Sequence, residues 1–257
     1  MVRGLDKFRE QFRSHTSKYT LIGGAACDLI MREVGLDFRA TKDLDIVLCL
    51  EEFDLSFVQA FWEFIQAGKY QFQQNASGKS QYYRFKKPEN AEYPYMLELF
   101  SRKPDMLTLN KDNQLTPIPI EEEISSLSAI LMDDDYYSFL QSGKKTIEDI
   151  SLVDPEHLIP LKARAWLDLS KRKKEGDVID TRSIVKHKND VFRLFRVINP
   201  SFKVDIPKVI RNDMKNFLKS IESEQIDLKH LGIERQSLNS VLDDLNRIYS
   251  DDGSIGL

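Results

Sequence analysis

The chain has 257 residues, of which 41% are hydrophobic and 30% charged, with a formal net charge of -4. That is enough apolar material for one large core or two small ones, and it carries no overall positive field that would make the whole surface a nucleic-acid footprint. No apolar run approaches the roughly 18 to 20 residues of a membrane span and the polar start Met1-Val2-Arg3-Gly4 lacks a signal-peptide core, so a cytoplasmic, two-lobed protein is expected. Cys27 and Cys49 are too few for a disulfide framework, and their apolar surroundings predict buried thiols.

In chain order, the spacing of Leu5, Phe8 and Phe12 predicts a helix over 4–15. Tyr19 to Ile22 reads as a short strand stopped by Gly23-Gly24, followed by a helix from Ala25 to Glu33 that ends at Gly35. The aliphatic run Leu44 to Leu50 predicts a central strand, and Phe57 to Ala67 returns to helical period. Gln81 to Phe85, Tyr95 to Phe100 and Ser128 to Met132 have strand composition, which implies a sheet of about five strands. Beyond 153 helix follows helix. Asp154-Pro155-Glu156 is a helix start leading into Leu158 to Leu169, and further helices are expected over 188–198, 206–221 and 234–249. The expected class is α+β: a mixed sheet with flanking helices in a domain over 1–153, a helical domain over 154–250 and a flexible tail over 251–257.

Chemistry concentrates between residues 19 and 48. Asp43 and Asp45 lie two apart on a predicted strand, so both side chains leave one face while Leu44 and Ile46 enter the core. Paired carboxylates repel unless a cation sits between them, and Mg²⁺, which takes one or two carboxylates plus waters and substrate phosphates, suits such a pair. Gly23 and Gly24 lack the Cβ atoms that would hold a phosphate away from the backbone, and the following helix offers unpaired N–H groups and its positive dipole end. A further metal would need a further acid. Glu98, alone in the apolar run Met96-Leu97-Glu98-Leu99-Phe100, is the candidate, with pairing to Arg84 or Arg102 as its structural alternative.

The order of strand, Gly-Gly, helix and apolar-flanked Asp-x-Asp, with a third acid on a later strand, resembles the nucleotidyltransferase superfamily typified by DNA polymerase beta and the CCA-adding enzymes. The helical second half is more similar to the AbiEii-type toxins of abortive-infection and toxin-antitoxin systems. The resemblance implies a nucleotidyltransferase-fold sheet and one or two Mg²⁺ ions on Asp43, Asp45 and Glu98. It further implies transfer of a nucleoside monophosphate from a nucleoside triphosphate to an RNA such as tRNA, a protein or a small molecule, with a cognate antitoxin as a further partner. Gly23, Gly24, Lys42 and Lys162 would hold the nucleotide, Glu98 would complete the second metal site or act as base, and Asp190 would match a downstream acidic motif. The same fold without turnover, a nucleotide- or partner-binding module, is the alternative.

Residue by residue, other readings stand beside these. Lys162, in Leu161-Lys162-Ala163-Arg164-Ala165-Trp166, either binds phosphate or snorkels past an apolar stripe. Asp190 either serves the site or forms a helix-surface ion pair with Arg193, and Gly176-Asp177-Val178-Ile179-Asp180 is a partial second match to its motif. Arg39 and Lys42 neutralise phosphate or lock the loop by ion pairing, with phosphate favoured for Lys42. Lys171-Arg172-Lys173-Lys174 either steers RNA or solubilises a helix end. Asp133-Asp134-Asp135 reads as a solvated turn, and His15, His157, His187 and His230 lack zinc spacing.

Overall fold

The computed structural model describes residues 2–49, 52, 54–71, 82–100, 130, 131 and 133–250. The expected positions Leu50, Gln81, Arg102, Ser128, Met132 and 251–257 lie outside them. Helix α1 (Leu5–Phe12) leads into strand β1 (Tyr19–Ile22) and helix α2 (Gly23–Glu33). Strand β2 (Asp43–Leu48), helix α3 (Leu55–Gly68), and strands β3 (Tyr82–Lys86) and β4 (Met96–Phe100) follow. Helix α4 (Asp134–Ser142) precedes a hairpin of β5 (Lys144–Ile147) and β6 (Ile150–Val153). Four helices then run to the end: α5 (Pro155–Lys174), α6 (Thr181–Phe195), α7 (Lys208–Ile221) and α8 (Leu238–Tyr249).

Among the described residues the strands form one six-stranded sheet in the order β3-β4-β2-β1-β6-β5. β2 pairs parallel with β4, β1 parallel with β6, and the remaining neighbours antiparallel, so the sheet is mixed. The α+β class, with flanking helices and a helical second half, is as expected. The strand count is not: the β5–β6 hairpin was missed. Its two-residue turn, Glu148-Asp149, has positive φ at both residues (48° and 59°), a conformation usually signalled by Asn or Gly. The strand expected over Ser128 to Met132 is also corrected, because Ile130 and Leu131 are helical. Both are buried apolar residues, and a short apolar run does not distinguish a buried strand from a buried helical turn.

One start, that of α6, lies seven residues before the expected 188 because of its cap, and that of α5 is where Asp154-Pro155 predicts it. α6 begins at Thr181, where the Asp180 side chain accepts a hydrogen bond from the Arg182 N–H, and α5 begins at Pro155, capped by Asp154 onto the His157 N–H. The Asp133 side chain likewise caps α4 from the Asp135 and Tyr136 N–H groups, so this acidic run is a helix start instead of a plain turn. One apolar cluster runs from Val2 to Tyr249. On one sheet face the Tyr19 ring meets Phe8, Phe12 and Phe57 at 5.3 to 6.4 Å, placing α1 and α3 there. The opposite face carries Asp43, Asp45 and Glu98 by strand alternation. Among the described residues no helix is long and apolar enough to cross a membrane.

Candidate functional site

β1 and β2 are antiparallel with Ile22 opposite Asp45, which sets the Gly23 turn against the acidic strand. Gly23 has φ +68°, and a Cβ there would sit 1.6 Å from Asp45 Oδ2. A Cβ on Gly24 would lie 2.6 Å from Thr41 Oγ1. A Cβ at either place would displace the chain's own carboxylate or hydroxyl, and at Gly23 it would also meet the positive φ. α2 starts at this turn with no side-chain cap on its first N–H groups.

Asp43 and Asp45 are half-buried on one face of β2. Burial and the neighbouring Asp45 charge raise the pKa of Asp43, and Lys186, Arg84 and Lys42 oppose them in part. Lys186 reaches this region from α6, one turn before Asp190. Glu98 sits opposite Asp45 on the parallel strand β4, and Arg84 sits opposite Glu98 on β3. Arg84 Nε donates to Glu98 Oε1 at 2.9 Å and Nη2 lies 2.8 Å from the same oxygen. The third acid is therefore beside the pair, and it is engaged by a guanidinium.

Asp190 is fully buried at the junction of α5, α6 and the loop before β2. Arg39 grips it with two hydrogen bonds, Nε to Oδ1 at 3.0 Å and Nη2 to Oδ2 at 2.8 Å. Lys162 Nζ lies 3.3 Å from Oδ2 and Arg193 Nη1 3.4 Å from Oδ1. Burial pushes the Asp190 carboxyl up, but Lys162 and Arg39 outweigh it and hold its pKa far below the ordinary carboxylate range. Burial pulls the Lys162 ammonium down, and the Asp190 charge reverses this, so its net shift is upward. Lys162, 2% exposed, is neither snorkelling nor presented to solvent. Asp190 is not on a helix surface. Arg39 locks the loop to α6, and nothing in the local spacing of either residue announced a contact across 151 positions.

The buried Cys27 thiol is pushed up to about 12 by burial, with Lys162 opposing, which removes it from nucleophilic chemistry at neutral pH. The basic run at the end of α5 is tied locally: Lys171 pairs with Glu175, Arg172 with Asp168 and Asp177, and Lys173 with Thr181. Two surface cavities, of about 480 and 660 Å³, lie elsewhere, against Arg196 and Gly232 and against Cys49 and Lys144. Neither is lined by Asp43 or Asp45.

The resemblance implies Mg²⁺ on Asp43, Asp45 and Glu98. Two half-buried like charges beside a helix N-terminus suit one divalent ion shared with phosphate oxygens. Among the described residues no group of three or more His, Cys, Asp or Glu is arranged to hold a metal. No family model and no curated protein matches the chain. Among solved structures it is similar to an antigenic nucleotidyltransferase-like protein from Paracoccidioides brasiliensis, at 16% identity and a TM-score of 0.46 over 93% of this chain and 89% of that one. Likeness at this level does not assign an activity.

Proposed function

We propose that this chain binds a nucleoside triphosphate with Mg²⁺ beside Asp43 and Asp45 and transfers its nucleoside monophosphate to an RNA, protein or small-molecule hydroxyl. The observation that carries this reading is the seating of the Asp45 carboxylate against the Gly23 turn at the start of α2. Phosphate oxygens placed there would meet helix N–H groups and the positive dipole end, while the two carboxylates would hold the ion. Bound Mg²⁺ would neutralise charge on the triphosphate and favour departure of pyrophosphate. Lys42, exposed on the strand entry, and Lys186, half-buried on α6, are the cations beside Asp43 that supplement it. Lys162 and Asp190 act at one remove: their ion pair, with Arg39, holds α5 and α6 against the loop that leads into β2.

A second reading, a nucleotide-binding module without turnover, is favoured by the engagement of Glu98 with Arg84. Calorimetry with each nucleoside triphosphate and Mg²⁺, repeated on Asp45→Ala, tests the common part of both. Binding of one nucleotide at least tenfold weaker in the variant is expected, a loss of about 1.4 kcal/mol. Equal affinity in the two proteins would remove the site.

A further inference from the structure

Three neighbouring strands present a row of charged side chains on one face: Asp45 on β2, Glu98 opposite it on β4, and Arg84 opposite Glu98 on β3. Glu98 and Arg84 are each only 6% exposed, and the guanidinium meets Glu98 Oε1 at 2.8 and 2.9 Å. Guanidinium is planar and permanently charged. In a site built for two ions, roughly 3.5 to 4 Å apart, a third carboxylate next to the first pair completes the second position. Here that carboxylate already has a buried cation on it, and a divalent ion brought to the same corner would face a like charge in a poorly solvated setting.

We infer that Arg84 is a built-in cation that takes the charge-balancing place of a second divalent ion, limiting the nucleotide site to one metal. This rests on the nucleotide-site reading above. It also explains why a lone acid and a lone arginine face one another inside apolar strands: each offsets the desolvation of the other. Charge at the Glu98 corner is thereby independent of the Mg²⁺ concentration, and only the Asp43 and Asp45 corner responds to it.

The test counts Mn²⁺ ions bound per chain, by electron paramagnetic resonance of the ions left free, with a non-hydrolysable ATP analogue at saturation. One ion is expected on the wild-type chain and two on Arg84→Gln, where the guanidinium charge no longer opposes a second cation. On the double variant Arg84→Met and Glu98→Met, one ion with affinity within about threefold of wild type is expected; it should fold, because exchanging a buried ion pair for apolar residues of similar volume is often neutral or stabilising. Two ions on the wild type, one on folded Arg84→Gln, or affinity about tenfold weaker in the double variant would each overturn the inference. Should Arg84→Gln not fold, the other two proteins decide. Wild-type retention no greater than that of Asp45→Ala would instead defeat the nucleotide site itself, and this inference with it.

Discussion

Replacing Asp190 by Asn isolates the charge hub at the junction of the sheet and the helices. The substitution keeps volume and removes the charge that Arg39 and Lys162 share. Lys162 is 2% exposed, so its ammonium would be left buried without a counter-charge. Breaking a buried pair in this way costs about 3 to 5 kcal/mol. For a chain of this size each kcal/mol shifts the midpoint by roughly 2 to 4 °C, so a fall of about 6 to 20 °C is expected in thermal denaturation followed by circular dichroism. Lys162→Met should cost less, about 1.5 to 3 kcal/mol, because Asp190 keeps the two hydrogen bonds from Arg39. Combining the two substitutions should cost less than their sum, since the second removes a partner already lost. The reasoning is refuted if Lys162→Met costs as much as Asp190→Asn, or if Asp190→Asn costs under about 1 kcal/mol.

Glycine at position 23 is needed for two reasons and at position 35 for one, so the alanine variants separate them. Gly23→Ala should lose the backbone cost of a positive φ, about 1 to 2 kcal/mol, and also displace Asp45, whereas Gly35→Ala, with φ +72° and open space around it, should lose only the first. Equal denaturation midpoints for the two variants would contradict the packing of Gly23 on Asp45. Because the folded pKa of Asp190 is depressed, the stability it contributes is fully present above the unfolded value of about 3.9 and is lost as pH falls toward the folded value. Urea midpoints measured from pH 6 down to 3 should therefore fall more steeply for wild type than for Asp190→Asn, and parallel curves would refute this. Native Cys27 should resist thiol-specific reagents at pH 8 and react only after unfolding, as mass spectrometry of labelled peptides would read; rapid native labelling would contradict its raised pKa.

Local chemistry made much of the site region readable in advance. Tyr19–Ile22 forms a short buried strand, Gly23-Gly24 turns it, and Asp43 to Leu48 carries the period-two pattern that puts both aspartates on one face. These features depend on residues within a few positions of each other, and periodicity reports them directly. The hairpin over Lys144–Val153 was not readable, because its turn uses Glu148-Asp149 in left-handed conformation where composition offers no turn signal. The helix start at Pro155 was legible from its Asp-Pro pair, whereas the start at Thr181 was not, since its cap lies outside the apolar period.

What the sequence determined by itself was the class of the fold and the residue types that meet at the Gly-Gly turn, since strand alternation and turn chemistry are short-range. Partnership was decided only by the tertiary structure. Composition alone does not give Glu98 a partner, and the antiparallel register of β3 on β4 puts Arg84 opposite it. Lys162, Arg39 and Asp190 were separate candidates for phosphate or surface pairing, and chain folding put all three in one buried contact. Charges in a low-dielectric interior must be neutralised by whatever the fold brings to them, and which partner arrives is a property of packing across more than a hundred residues.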